Sequence, residues 1–135
     1  MAIRVEVYGD NLIDAADEIL EEIEPKAREA VREAADMLLA EVRRLLQLRS
    51  GPPAAPEGEP PAKRTGGLLK SFRRIPVSVK GRVVSSGIQS NHPGANRLEF
   101  GVVDRRGRRT LPHPYIRPAM ERMEGPITAL LESRL

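Results

Sequence analysis

The chain has no cysteine and no tryptophan, and its 135 residues include only two tyrosines and two phenylalanines. Disulfide staples and thiolate chemistry are excluded, and aliphatic side chains with alanine must fill whatever core forms. No stretch approaches the ~18 consecutive apolar residues of a membrane span. The first residues carry Glu6, Asp10, Asp14 and Asp17 in place of a basic segment followed by an apolar run, so synthesis in the cytosol is expected. Also lacking are a phosphate-cradling glycine loop, a nucleophile elbow and a His-Glu pairing. The two histidines are each followed by proline, at His92-Pro93 and His113-Pro114, and neither has a second ligand at metal spacing. No cofactor, no metal and no enzymatic activity are expected.

What the chain does have is a strong charge polarity. Residues 1–62 hold 14 acids and 7 bases, a balance of −7, whereas residues 63–135 hold 5 acids and 15 bases, a balance of +10. The length is that of one domain, 1–135. Such polarity suits an acidic polymer, and it equally suits head-to-tail contact between copies of the same chain.

Ile3, Val5 and Val7 alternate with polar residues and predict a first strand ended by Gly9-Asp10, with Asp10 or Asn11 capping a helix that places Leu12, Ala16, Ile19 and Ile23 on one face. Pro25 is tolerated in the first turn of a helix and costs ~3 kcal/mol deeper inside one, so a second helix is expected from Pro25 to about Arg49. Its apolar stripe is Ala27, Val31, Ala34, Leu38, Val42 and Leu45.

From residue 50 to 64 the composition turns to proline and glycine, with nothing that packs or pairs, and predicts a flexible insert whose residues 52–61 can be deleted without loss of the fold. Thr65-Gly66-Gly67-Leu68 reads as a turn into a strand or short helical segment. A hairpin follows, with Ile75, Val77 and Val79 on one face, a turn at Lys80-Gly81, and Pro76 placing the first strand at a sheet edge or delaying its start until after Pro76. Leu98 to Val103 are expected as a further strand. Pro118 opens a C-terminal helix that buries Met120, Met123, Ile127, Leu130 and Leu131 and is kinked or split at Gly125-Pro126. The expected fold class is α+β: an N-terminal strand, long amphipathic helices packed on a small, mainly antiparallel sheet, and a C-terminal helix.

Arg105, Arg106, Arg108 and Arg109 flank Gly107 and form a basic tip, the usual electrostatic footprint of phosphate binding and equally that of a protein contact. With so few aromatic residues there is no stacking platform for single strands. Nonspecific duplex binding through the basic C-terminal half therefore stands as one functional reading.

In order along the chain, a long Ala-rich helix is followed by Thr65-Gly66-Gly67-Leu68, a hairpin, Glu99-Phe100-Gly101, and the run His113-Pro114-Tyr115-Ile116-Arg117-Pro118-Ala119-Met120 before a last helix. This arrangement resembles the tail-completion or neck protein family of long-tailed double-stranded DNA bacteriophages. The family's short proline-containing link is enlarged here between Ser50 and Arg64, and Val102 stands where a small polar residue is usual. The resemblance implies a virion structural protein that forms a homo-oligomeric ring at the head–tail junction. Its implied partners are the portal or head-completion protein and the tail-tube or tail-terminator protein, with DNA passing through the lumen unread and no membrane involved. It carries over no catalytic residues. Thr65, Gly66, Leu68, Glu99, Phe100, Gly101, Pro114, Arg117 and Pro118 are the motif positions. Two expectations follow: Glu99 pairs with Arg117 within the folded domain or across a subunit boundary, and the acidic helical half of one subunit meets the basic half of the next, with Leu46, Leu48 or the Met-bearing helix face supplying apolar contact.

Overall fold

The computed structural model describes the backbone of residues 1–8 and 17–135, and side chains for 1–8 and 23–135. The expected turn at Gly9-Asp10, the cap at Asp10 or Asn11 and the side chains of Leu12, Ala16 and Ile19 lie outside the described residues. The element order is β1 (Ala2–Tyr8), α1 (Asp17–Leu45), α2 (Gly67–Ser71), β2 (Arg73–Lys80), β3 (Val83–Gln89), α3 (Gly94–Phe100), β4 (Val102–Val103), β5 (Arg109–Thr110) and α4 (Ile116–Arg134). The chain is α+β, with an antiparallel sheet of order β1-β3-β2 and a separate two-stranded ribbon, β4-β5.

Helix α1 is the centre of the structure because its apolar residues recur at helical spacing and most are small. Ala27, Ala30, Val31, Ala34, Ala35, Leu38 and Val42 are all buried, and the alanines let the sheet and α4 come close. The expected break at Pro25 is absent, since α1 runs through it. One missing N–H is a single local cost, and burial of Ala27, Ala30 and Val31 directly after it offsets that cost.

Antiparallel β3 lies between β1 and β2, and Gly87 is what lets β1 approach. A Cβ there would collide with the Ile3 carbonyl oxygen and come within 2.8 Å of Arg4 Cα. β2 is an edge strand, as Pro76 requires, and the register shifts between Ile75 and Ser78. The fully buried Ser86 hydroxyl donates to the Ile75 carbonyl at 2.8 Å, which satisfies an acceptor beside that irregularity.

Two of the four aromatic residues meet in the core. Phe72 and Tyr115 are fully buried, edge to face, with centroids 5.8 Å apart and planes at 79°. Leu38, Leu39, Val42, Leu46 and Ile88 surround them. Leu46 is thus a core residue and is not available for subunit contact, whereas Leu48 is exposed.

Three other expectations are corrected. Leu98 to Phe100 are helical, in α3, and only Val102 and Val103 form a strand, because Gly101 adopts φ 71° and ψ 173° and ends the helix there. Helix α4 is not split at Gly125-Pro126, and Met120 faces outward while Ile116 and Ala119 are buried. The 50–64 segment does pair and pack. Gly51 N–H donates to the Lys63 carbonyl at 2.8 Å and Lys63 N–H to the Arg49 carbonyl at 2.7 Å, while Ala55 is buried. Its main chain supplies the contacts that its side-chain composition does not advertise.

Candidate assembly interface

The motif residues converge on one corner, where α3 ends, the ribbon departs and α4 begins. The first N–H groups of any helix have no partner inside it. Those of α4 are satisfied by Glu99: Oε2 accepts from the Tyr115 and Ile116 N–H groups at 2.8 and 2.9 Å, and Oε1 from Arg117 N–H at 2.9 Å. A buried carboxylate at the positive end of the helix dipole needs no cationic side chain. This corrects the expected ion pair within one chain, because the Arg117 guanidinium is exposed and pairs with Glu121 at 3.1 Å. Glu99 meets Arg117 only through backbone.

Pro118 lies in the first turn of α4, where its lost N–H is harmless, and partly buried Pro114 precedes that turn. The Tyr115 hydroxyl donates to the Ala95 carbonyl at 2.9 Å, and burial pushes its pKa up, with the nearby Glu99 charge adding to the shift. Gly101 holds the opposite side of the corner. Its N–H donates to the Arg97 carbonyl at 2.8 Å, and a Cβ would come within 2.6 Å of the Thr110 carbonyl oxygen. His113 N–H donates to the Leu98 carbonyl at 2.6 Å, so both ends of the ribbon are anchored to α3.

The ribbon carries the basic tip. Asp104 Oδ1 accepts from the Arg106 and Arg108 N–H groups at 2.9 and 2.8 Å, and Oδ2 pairs with the Arg108 guanidinium at 2.9 Å. These bonds, the Arg108 N–H foremost, hold the Asp104 carboxyl below its ordinary pKa. Arg105, Arg106 and Arg109 have no ion pair among the described residues. Thr65, Gly66 and Leu68 lie elsewhere. Thr65 Oγ1 accepts from Gly67 N–H at 3.3 Å, Gly66 supplies φ 80° before α2, and Leu68 packs on the core.

Beside the corner, β1 and α4 bound an open apolar groove of about 610 Å³, lined by Ile3, Val5, Leu38, Ile116, Met123 and Ile127, with Phe100 and Met120 also on its wall. The sequence reading missed this groove; the methionines of the last helix were its signal. Both histidines are used locally. His92 Nδ1 accepts from Gly94 N–H at 2.9 Å, and His113 Nδ1 lies 3.1 Å from the Pro56 carbonyl and 3.2 Å from that of Glu59. Among the described residues no cluster of acidic or histidine side chains is arranged to hold a metal, and no helix is long and apolar enough to cross a membrane.

No protein-family model, no curated protein and no solved structure matches the chain.

The charge polarity is partly neutralised within one copy. Arg74 pairs with Asp36 at 3.1 Å, Arg122 with Glu41 at 3.4 Å and Arg134 with Glu33 at 3.0 Å, each joining the basic half to the acidic helix. The unpaired cations of the ribbon tip are therefore better placed for an external contact than the half-chain totals imply.

Proposed function

We propose that the chain is a structural subunit of a tailed bacteriophage, forming a homo-oligomeric ring at the head–tail junction. In this role it joins a portal or head-completion protein to a tail-tube or tail-terminator protein, and DNA passes through the lumen without sequence-specific contact. The observation that supports the reading is the corner itself. Glu99-Phe100-Gly101 and the His113–Met120 run, the two motifs behind the resemblance, are joined by three hydrogen bonds that backbone N–H groups at the start of α4 donate to one carboxylate. That corner sets a basic ribbon beside an open apolar groove, two features suited to protein contact.

The test is deletion of the gene in the phage or prophage that carries it. The reading expects DNA-filled heads and separate, complete tails by electron microscopy, with joining restored by the gene in trans. Intact infectious particles from the deletion would refute it. The alternative, nonspecific duplex binding through Arg105, Arg106 and Arg109, expects affinity for DNA that falls steeply with salt.

A further inference from the structure

Two apolar surfaces of the same chain lack cover among the described residues, and their chemistry is complementary. The first is the β4-β5 ribbon. Val102, Val103 and Leu111 are 41%, 61% and 45% exposed, and successive strand residues point to opposite faces, so apolar surface lies on both sides of it. A two-stranded ribbon of this length is marginal in water and gains stability only against a further layer. The second is the groove between β1 and α4, where Met120 and Phe100 are 48% and 73% exposed.

The ribbon does not fill its own groove. None of residues 101–112 lines it, and the ribbon's base is fixed by the Gly101 and His113 N–H bonds to α3 and by the Gly58 N–H bond to the Pro112 carbonyl at 3.1 Å. The charges differ in sign as well. Among the described residues the ribbon tip offers Arg105, Arg106 and Arg109 without ion-pair partners, and the α4 bank of the groove offers Glu124 likewise, while Glu121 there is paired with Arg117 and Arg4 lies on the β1 bank. On the other bank, β1 is the end strand of its sheet, and end strands are available for pairing with another chain.

We propose that the β4-β5 ribbon of one copy seats in the β1-α4 groove of the next copy. Val102, Val103 and Leu111 supply the apolar contact, and the tip arginines meet Glu124 on the rim. Each contact covers one ribbon and one groove and leaves one of each free, which is a heterologous interface able to close into a ring. This deepens the assembly reading above by naming its contact surfaces.

The absence of native cysteine makes a disulfide test clean. Val103→Cys and Met120→Cys are combined in one chain and oxidised, both in the purified protein at high concentration and in tailed particles grown with the variant. The expected result is a ladder of crosslinked oligomers on a nonreducing gel. Mixing the two single variants should give dimers, while each alone gives none. Leu111→Cys with Thr128→Cys repeats the test should the first pair disturb folding. A crosslink confined within one chain, dimers of Val103→Cys alone, or no crosslink in either setting would overturn the proposal. A ladder in the purified chain without incorporation into particles would support the docking and sink the neck reading. Several copies per particle without any crosslink would do the reverse. Loss of duplex affinity on changing Arg105, Arg106 and Arg109 to Glu, with no ladder, would assign the ribbon to DNA and overturn docking.

Discussion

Glu99 and Tyr115 hold each other in place across the corner where the last helix begins. The Glu99 carboxylate accepts the Tyr115 backbone N–H at 2.8 Å, and the Tyr115 hydroxyl donates at 2.9 Å to the Ala95 carbonyl, one turn back on the helix that carries Glu99. Glu99→Gln keeps the shape but removes the charge and one acceptor, and should destabilise the chain by about 1–3 kcal/mol in urea titration. Glu99→Ala should cost more. Arg117→Ala should cost under about 1 kcal/mol, because its guanidinium joins only an exposed pair with Glu121. Equal losses for Glu99→Ala and Arg117→Ala would contradict this assignment.

Gly101 is expected to accept no side chain. Its φ of 71° with ψ of 173° is a region occupied essentially by glycine, and the Thr110 carbonyl stands 2.6 Å from where a Cβ would lie. Gly101→Ala should lower stability by about 1–3 kcal/mol and displace the ribbon, visible as shifted amide resonances in 102–110. Gly107→Ala, at φ 77° but with open space around it, should cost less.

Stability should fall at both ends of the pH range for identifiable reasons. At the alkaline end the Tyr115 hydroxyl is held protonated by burial, so its pKa is higher folded than unfolded. That contribution is complete below the unfolded value of about 10 and is lost as pH rises above it. Tyr115→Phe should remove this alkaline slope at a cost of about 1 kcal/mol at neutral pH. At the acid end the Arg44 guanidinium hydrogen-bonded to Glu41 lowers that carboxyl's pKa against its partial desolvation. Its contribution is present above about pH 4.3 and is lost as pH falls through the lower, folded value. Glu41→Gln should flatten the acid limb of a melting-temperature profile.

Removing residues 52–61 tests the insert. Composition alone predicts no effect on the fold, but the folded segment contributes buried Ala55, the Gly58 N–H bond to the Pro112 carbonyl, the His113 contact to the Pro56 carbonyl and a pair between Arg49 and Glu59. The expected outcome is an unchanged helical circular dichroism signal with stability lowered by about 1–3 kcal/mol, from a lost hydrogen bond and lost apolar burial. Undiminished stability would show these contacts to be idle.

The parts legible in the sequence were those set by periodicity. The α1 stripe, the alternation in β1 and the hairpin turn at Lys80-Gly81 all follow from spacing, and of the two outcomes Pro76 allowed, an edge strand or a later start, the edge strand is the one found. What misled was local propensity overruled by tertiary bonds. Leu98 to Phe100 resemble a strand, yet Glu99 is drawn into a helix whose side chain caps α4. Pro25 resembles a helix start, yet burial beyond it carries α1 through. Glu99 was rightly expected to need a partner, and backbone N–H groups, which leave no trace in side-chain patterns, supply it. The groove was hidden because it joins residues near position 4 to residues near position 123, a juxtaposition that only the fold makes.

A chain that acts as many copies in one ring has a copy number in purified tailed particles that can be counted. Quantitative mass spectrometry against the major capsid protein should find several copies per particle, and changing Arg105, Arg106 and Arg109 to Glu, with Arg108 left to its pair with Asp104, should abolish incorporation while leaving thermal unfolding nearly unchanged. A single copy per particle, or none, would contradict the account.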